Sequence, residues 1–446
     1  MKTAVTIIEN LRRQRSLLAG ILLAILAAGT AMAAGPAVPT APTVMELTLD
    51  QAVQLALVNN PNGKIAVFDY EAAKGALTAA RSYRWPTISA THRDSRTLAA
   101  PTDREPNPTA TDNYSNSVSL SWILWSGNKI ESQVSQAKLS LDSSQWGIVA
   151  ARQQLKYSAT DAYFKFMAAR DAVKLAQESV TRLERYLQDV KLQFDVGVVA
   201  KVDVLRSEVE LAKAKQTLIE AQNAYDITMA NLNNVMGLPL TTELKVKGDL
   251  SYSKFEADLA ACVDLALRQR PEIFQYTDAA KSAQEGIAVA KAGYLPSISA
   301  TYTNGWNNTN FPGGTNYNWT VYLTTSWTFL DSGLTAGNVK KAVETYHKTQ
   351  EQLRQTVDSV QLDVRSTYLS LKSAEQSIQT SSAAVGLAEE DYGIKVIRYQ
   401  AGVGTNLDVL DAQVALTTAK NNYLKAMYDY NNYRSQLDKS MGMPVK

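Results

Sequence analysis

The side chains with chemical reach are few. The two histidines, His92 and His347, fall in a strand-like and a helix-like pattern, with no metal-ligand spacing around them. Cys262 is the single cysteine, so it makes no intramolecular disulfide, and its place on an apolar face predicts a buried, inert thiol. No G-x-x-x-x-G-K-S/T loop occurs, so any energy must come from a partner. Nothing supports a Ser–His–Asp site. An enzyme is therefore not expected, nor is a metal or cofactor. The most pointed polar feature is a pair of carboxylates, Asp408 and Asp411, at i and i+3 on one face of a helix start. There the helix macrodipole stabilises negative charge.

Such residues act only where the backbone puts them, and here the backbone is written twice. Glu46 to Ala90 aligns with Glu256 to Ala300 at a constant offset of 210. From Trp122 onward the offset is 205: Trp122 returns as Trp327, Gly197 as Gly402, Asp203-Val204-Leu205 as Asp408-Val409-Leu410, and Met236-Gly237 as Met441-Gly442. The organisation expected is a signal peptide over 1–33, a linker over 34–45, and structural repeats over 46–245 and 246–446. The signal reading rests on basic Lys2, Arg12, Arg13 and Arg15, an apolar run from Leu17 to Ala28, and the Ala31-Met32-Ala33 cleavage pattern. The rival, an uncleaved inner-membrane anchor, is disfavoured because a spanning helix needs about 18–20 apolar residues. No Cys lies near the cleavage pattern, so no lipid anchor is expected there. A net charge of +2 without a basic stripe gives no sign of nucleic acid binding.

Each repeat opens with an apolar helix stripe, Leu49, Val53, Ala56 and Leu57 or Leu259, Val263, Ala266 and Leu267. Pro61 and Pro271 interrupt or restart it, and Pro86 and Pro296 end the helical pattern. The period then changes to two. Ile88, Ala90 and His92 alternate with hydroxyl residues, as do Val118, Leu120, Trp122 and Leu124, then Ile298, Ala300 and Tyr302, and finally Trp319, Val321 and Leu323. Six of the seven tryptophans, Trp85, Trp122, Trp125, Trp306, Trp319 and Trp327, lie in or beside these strands. Soluble hairpins on a core would show the same alternation. Membrane strands with aromatic girdles fit better, because the small polar face suits a wet lumen. No other long apolar segment follows the signal, so membrane insertion would have to be by β-barrel.

After the strands, no proline occurs between Thr109 and Leu238 or between Gly313 and Gly442. Apolar positions such as Val360, Val364, Leu371, Ala374 and Ile378, and likewise Leu155, Ala159, Ala162, Phe166, Ala176 and Val180, recur at alternating steps of four and three. That 3.5-residue period predicts coiled-coil helices over about 128–195 and 336–400, each roughly 100 Å long. Gly197 and Gly402-Val403-Gly404 break them, and return helices follow over about 202–235 and 407–440. The fold class expected is mainly α with a membrane β-barrel portion. Long helical hairpins form a coiled-coil barrel, and each chain adds four strands. Four strands cannot close a membrane barrel, so the chain must oligomerise if they lie in lipid. Two, three or four copies would give eight, twelve or sixteen strands, and the arithmetic does not choose.

The ordered set of openings (LTLDQAVQLALVNNP and LAACVDLALRQRP), strand starts (PTISA and PSISA) and tips (FDVGVVAKVDVLRSEVEL and YQAGVGTNLDVLDAQVAL) resembles the TolC-type outer-membrane efflux proteins, the outer membrane factors. The likeness covers nearly the whole mature chain. It implies a homotrimer with a twelve-stranded barrel among outer-membrane lipid, continued by an α-helical barrel through the periplasm. It also implies partnership with a periplasmic adaptor (membrane fusion) protein and an inner-membrane transporter, in efflux or type I secretion. On this resemblance Asp408 and Asp411 form stacked acidic rings at a narrow periplasmic entrance, favouring cations. Asp203 is the first-repeat counterpart of Asp408, but Arg206 stands where Asp411 would recur. Tyr399, the counterpart of Phe194, could link to Asp203 on a neighbouring tip. Some relatives carry a basic residue just after the tip glycine, where this chain has Gly404. Val196, Gly197, Val198, Gly402, Val403 and Gly404 would meet the adaptor. The competing class is a periplasmic coiled-coil adaptor or scaffold without a pore, which has no need of Trp-flanked strands.

Overall fold

The computed structural model describes residues 45–98, 100, 101 and 109–445. The signal segment, the linker up to residue 44, and Pro106 and Pro108 of the first strand connection lie outside the described residues.

Two short helices open each repeat: α1 (Leu49–Asn59) and α2 (Pro61–Ser82), then α5 (Leu259–Gln269) and α6 (Pro271–Lys291). Thr48 starts α1 with a reciprocal capping box to Gln51, and Asp258 caps α5 through the Ala261 amide at 2.9 Å. Pro61 and Pro271 occupy first-turn positions, where a missing N–H costs nothing, so they restart the helix rather than end it. The long helices α3 (Lys129–Asp195) and α7 (Leu334–Gln400) each run for 67 residues, and the return helices are α4 (Lys201–Met236) and α8 (Asn406–Ser440). These bounds fall within two residues of those expected from period and glycine punctuation. Phe166, Val190, Val364 and Leu371 are fully enclosed on the 3.5-period stripe, each stabilising by about 1.5–3 kcal/mol. Arg152, the one polar break in the first-repeat series, faces solvent. Among the described residues no helix is long and apolar enough to cross a membrane.

The four long strands, β2 (Thr87–Thr97), β3 (Thr111–Trp125), β5 (Ser297–Asn308) and β6 (Asn316–Ser326), form one antiparallel sheet in that order. Register aligns the faces read from the sequence. Ile88, Leu120, Tyr302 and Val321 make one apolar row, and Ala90, Val118 and Trp319 the next, broken by Asn304. Ser89, Ser119, Thr303 and Thr320 make a hydroxyl row between them, with Ser119 and Thr303 hydroxyls 3.1 Å apart. A register step between Ile123 and Trp125 brings Trp125, not Leu124, opposite Ile298. The extra residue of a bulge re-aims the side chain that follows it. β2 and β6 are the sheet edges within one chain.

Two further strands were not signalled by alternation: β1 (Met45–Leu47) and β4 (Leu244–Val246), three residues each, paired in parallel. They cross the middle of the first hairpin, where the Tyr163 hydroxyl donates to the carbonyls of Leu47 (3.2 Å) and Lys247 (2.9 Å). The chain then straps the second hairpin: Tyr252 donates to Glu375 at 2.6 Å, and the Arg434 guanidinium lies 4.6 Å over the Phe255 ring.

Candidate functional site at the helical tips

Both tips end by the same device. Gly197 and Gly402 take φ of +79° and +75°, and the following amides, Val198 and Val403, donate back to Gln193 and Arg398 at 2.9 and 3.0 Å. That six-to-one closure needs a left-handed residue, which glycine supplies without a Cβ clash. Val196, Val198 and Val403 project from it, 75, 70 and 64 % exposed, an apolar surface that none of the described residues covers. Gly404 lies against Tyr399 and Arg398; a Cβ there would stand 3.1 Å from the Tyr399 amide nitrogen. The turn is therefore too tight for a side chain without adjustment.

Asp408 and Asp411 share a helix turn but are used differently. Asp408 is the N3 residue of α8 and completes a capping box: its carboxylate accepts from the Thr405 amide at 3.1 Å and the Thr405 hydroxyl at 2.6 Å. Its other oxygen meets Lys395 Nζ of α7 at 3.2 Å. The Thr405 hydroxyl and amide, then Lys395, hold the carboxyl down to about 2. Asp411, one turn on, is exposed and lines a groove between α4 and α8.

Tyr399 lies in a small core that joins the two tips of one chain, with Leu183, Tyr186, Val190, Val409 and Leu410, and Asp203 stands near enough for its charge to act on it. The Tyr186 and Tyr399 rings lie 5.6 Å apart. Tyr399 is 7 % exposed, and its hydroxyl has no hydrogen-bond partner among the described residues. Burial, and then the Asp203 charge, push that hydroxyl up from its ordinary range. The polar tie is made by a residue the sequence reading passed over. Asn406, buried at the first position of α8, donates to the Asp203 carbonyl at 2.8 Å and to its carboxylate at 3.4 Å. Its amide oxygen accepts from the Tyr186 hydroxyl at 2.7 Å and the Ser207 hydroxyl at 3.3 Å. One signal pointed to it: the first-repeat counterpart is Lys201, so the copies diverge there.

The tryptophans cluster at the two ends of the sheet. Trp122 donates its indole N–H to the Arg84 carbonyl at 2.9 Å, and Trp327 makes the equivalent bond to Tyr294 at 3.1 Å. Trp85 and Trp125 are exposed beside them, near the helices. Trp306 and Trp319 lie toward the far ends of β5 and β6, with Tyr317 opposite Trp306.

A family model for "Outer membrane efflux protein" matches residues 52–238 and 262–443. The chain is 25 % identical over 389 residues to the toluene efflux pump outer membrane protein TtgC of Pseudomonas putida, covering 83 % of this chain and 78 % of that one. It is 24 % identical to the alkaline protease secretion protein AprF of Pseudomonas aeruginosa (86 % and 82 % covered). Against the outer membrane protein TolC of Escherichia coli the identity is 25 % (86 % and 79 %). The fold is that of the CmeC outer membrane channel of Campylobacter jejuni, with a TM-score of 0.80 at 19 % identity over 88 % of this chain and 85 % of that one. It also matches the outer membrane protein VceC of Vibrio cholerae, with a TM-score of 0.77 at 16 % identity (89 % and 97 %). With both repeats matched by one model, the chain belongs to the outer membrane efflux protein family.

Proposed function

We propose that three copies of this chain form a passive exit duct across the outer membrane and periplasm, serving a tripartite efflux or type I secretion system. The localisation and channel function follow from the family; the relatives named above are outer-membrane efflux and secretion proteins, not adaptors. The observation that carries oligomerisation is the four-stranded sheet with open edges at β2 and β6, continuous with helical hairpins of roughly 100 Å, and the likeness to the family supports three copies rather than two or four. Open edges are not viable in lipid. Three sheets edge to edge make a twelve-stranded closed barrel, and each sheet's apolar rows then face lipid with the hydroxyl rows inside.

On this reading Trp85, Trp122, Trp125, Trp306, Trp319 and Trp327 form the membrane girdles. Asp408, Asp411, Asp203 and Tyr399 line the periplasmic entrance, and Val196, Gly197, Val198, Gly402, Val403 and Gly404 meet a periplasmic adaptor coupled to an inner-membrane transporter. The repeats divide at residues 245 and 246, after a cleaved segment 1–33 and a linker 34–45. The test is extraction: the protein should require detergent and run as a heat-modifiable trimer on gels. A water-soluble monomer would refute the duct and favour a periplasmic scaffold.

A further inference from the structure

Arg206 and Asp411 hold equivalent positions in the two repeats, 205 residues apart, and both line the groove between α4 and α8 near the tips. Its walls are apolar, formed by Val202, Leu205, Val209, Leu407 and Val414. The third charged residue there, Glu210, is held by Lys213 at 2.6 Å. Nearby, Lys191 pairs with Glu208 at 2.8 Å and Lys395 with Asp408 at 3.2 Å. Arg206 and Asp411 have neither a hydrogen bond nor an ion pair among the described residues. Two opposite free charges thus share one groove of a single chain.

We propose that Arg206 is a selectivity determinant of the channel entrance, acting as a fixed cation that opposes Asp411. The proposal rests on the reading that the tips form that entrance. A lone carboxylate in each chain would draw cations toward the solute path. A carboxylate with a guanidinium in the same groove presents a dipole, whose field falls off faster with distance. The guanidinium stays charged at every working pH, so the opposition does not titrate. Both side chains are exposed, so replacing either removes no buried contact.

The test is the potassium-to-chloride permeability ratio of the purified full channel in planar bilayers. Arg206→Gln should raise the ratio about twofold, Asp411→Asn should lower it by a similar factor, and the double variant should return near the parent. Arg206→Lys, which keeps the charge, should behave as the parent. The differences should shrink in 1 M salt, where the screening length falls to about 3 Å. An unchanged ratio in Arg206→Gln, with a changed one in Asp411→Asn, overturns the role of Arg206 alone. No change in either variant, with channels still conducting, overturns the placement of the tips at the entrance.

Discussion

Replacing Asn406 by alanine removes the side chain that hydrogen-bonds to α3, to α4 and across to the other tip at once. Two of its bonds are short, 2.8 Å to the Asp203 carbonyl and 2.7 Å from the Tyr186 hydroxyl. Ser207 keeps its own bond to the Asp203 carbonyl at 2.9 Å, so it is not orphaned. The buried Tyr186 hydroxyl loses its acceptor outright. Two net bonds at about 1 kcal/mol each, plus about 1–2 kcal/mol for a stranded buried donor, give a loss near 3 kcal/mol. That loss is local to the tip, far from the sheet and the middle of the hairpins. Hydrogen exchange on the intact protein should therefore show tip amides around residues 199–210 losing protection by about a hundredfold. Amides around Phe166 and Leu371 should be unaffected. Asn406→Asp is the informative partner: it still accepts from Tyr186 but cannot donate to Asp203 when ionised, and it sets a second carboxylate beside the first. It should be loosened at neutral pH and recover in acid, as the new carboxyl gains a proton to donate. A change below threefold in Asn406→Ala would refute the claim that this residue ties the tips.

The α8 cap should respond to acid in a defined window. Asp408 is held below its ordinary 3.8, at about 2, in the folded tip. Its contribution is therefore complete above about pH 4 and fades as pH falls toward 2. Protection factors at the Thr405–Val409 amides should fall across that window in the parent and stay constant there in Asp408→Asn; identical profiles would count against the cap. Among the glycines, Gly442 (φ +73°) packs so closely that an added Cβ would sit 2.8 Å from the Gln269 carbonyl carbon, whereas Gly197 (φ +79°) faces open space. Gly197→Ala should cost about 1–2 kcal/mol from backbone strain alone, and Gly442→Ala clearly more, because backbone cannot move aside. Equal thermal midpoints for the two variants would show the contact to be loose.

Long-range periodicity made most of this fold legible. A sustained 3.5-residue stripe, over 148–194 and 353–388, leaves little choice of element, and prolines and glycines mark the ends of the 67-residue helices that carry it. Strand faces were equally readable, since Ile88, Leu120, Tyr302 and Val321 alternate before they align. β1 and β4 were not, because three residues carry no period and their pairing depends on residues 199 apart. The bulge at Leu124 was hidden for a related reason: an extra apolar residue among apolar residues leaves the pattern unbroken. At the tips, spacing located Asp408 and Asp411 but not their uses, which depend on Thr405 and Lys395 reaching one and not the other. Tyr399 carries a hydroxyl that suggested a bond, yet it is enclosed with Tyr186, and a plain asparagine two residues past the tip glycine pair does the joining.

The parallel pairing of β1 with β4 also bears on ancestry. A clean duplication would leave two interchangeable halves, each able to assemble with copies of itself. Here β1 opens the first repeat and β4 closes it, and the residues aligned with β1 at the offset of 210, Phe255 to Ala257, form no strand. A gene encoding the second half alone would lack the pair, and joining two second halves would not restore it. The crossing therefore belongs to the first repeat alone, and the two halves are not interchangeable.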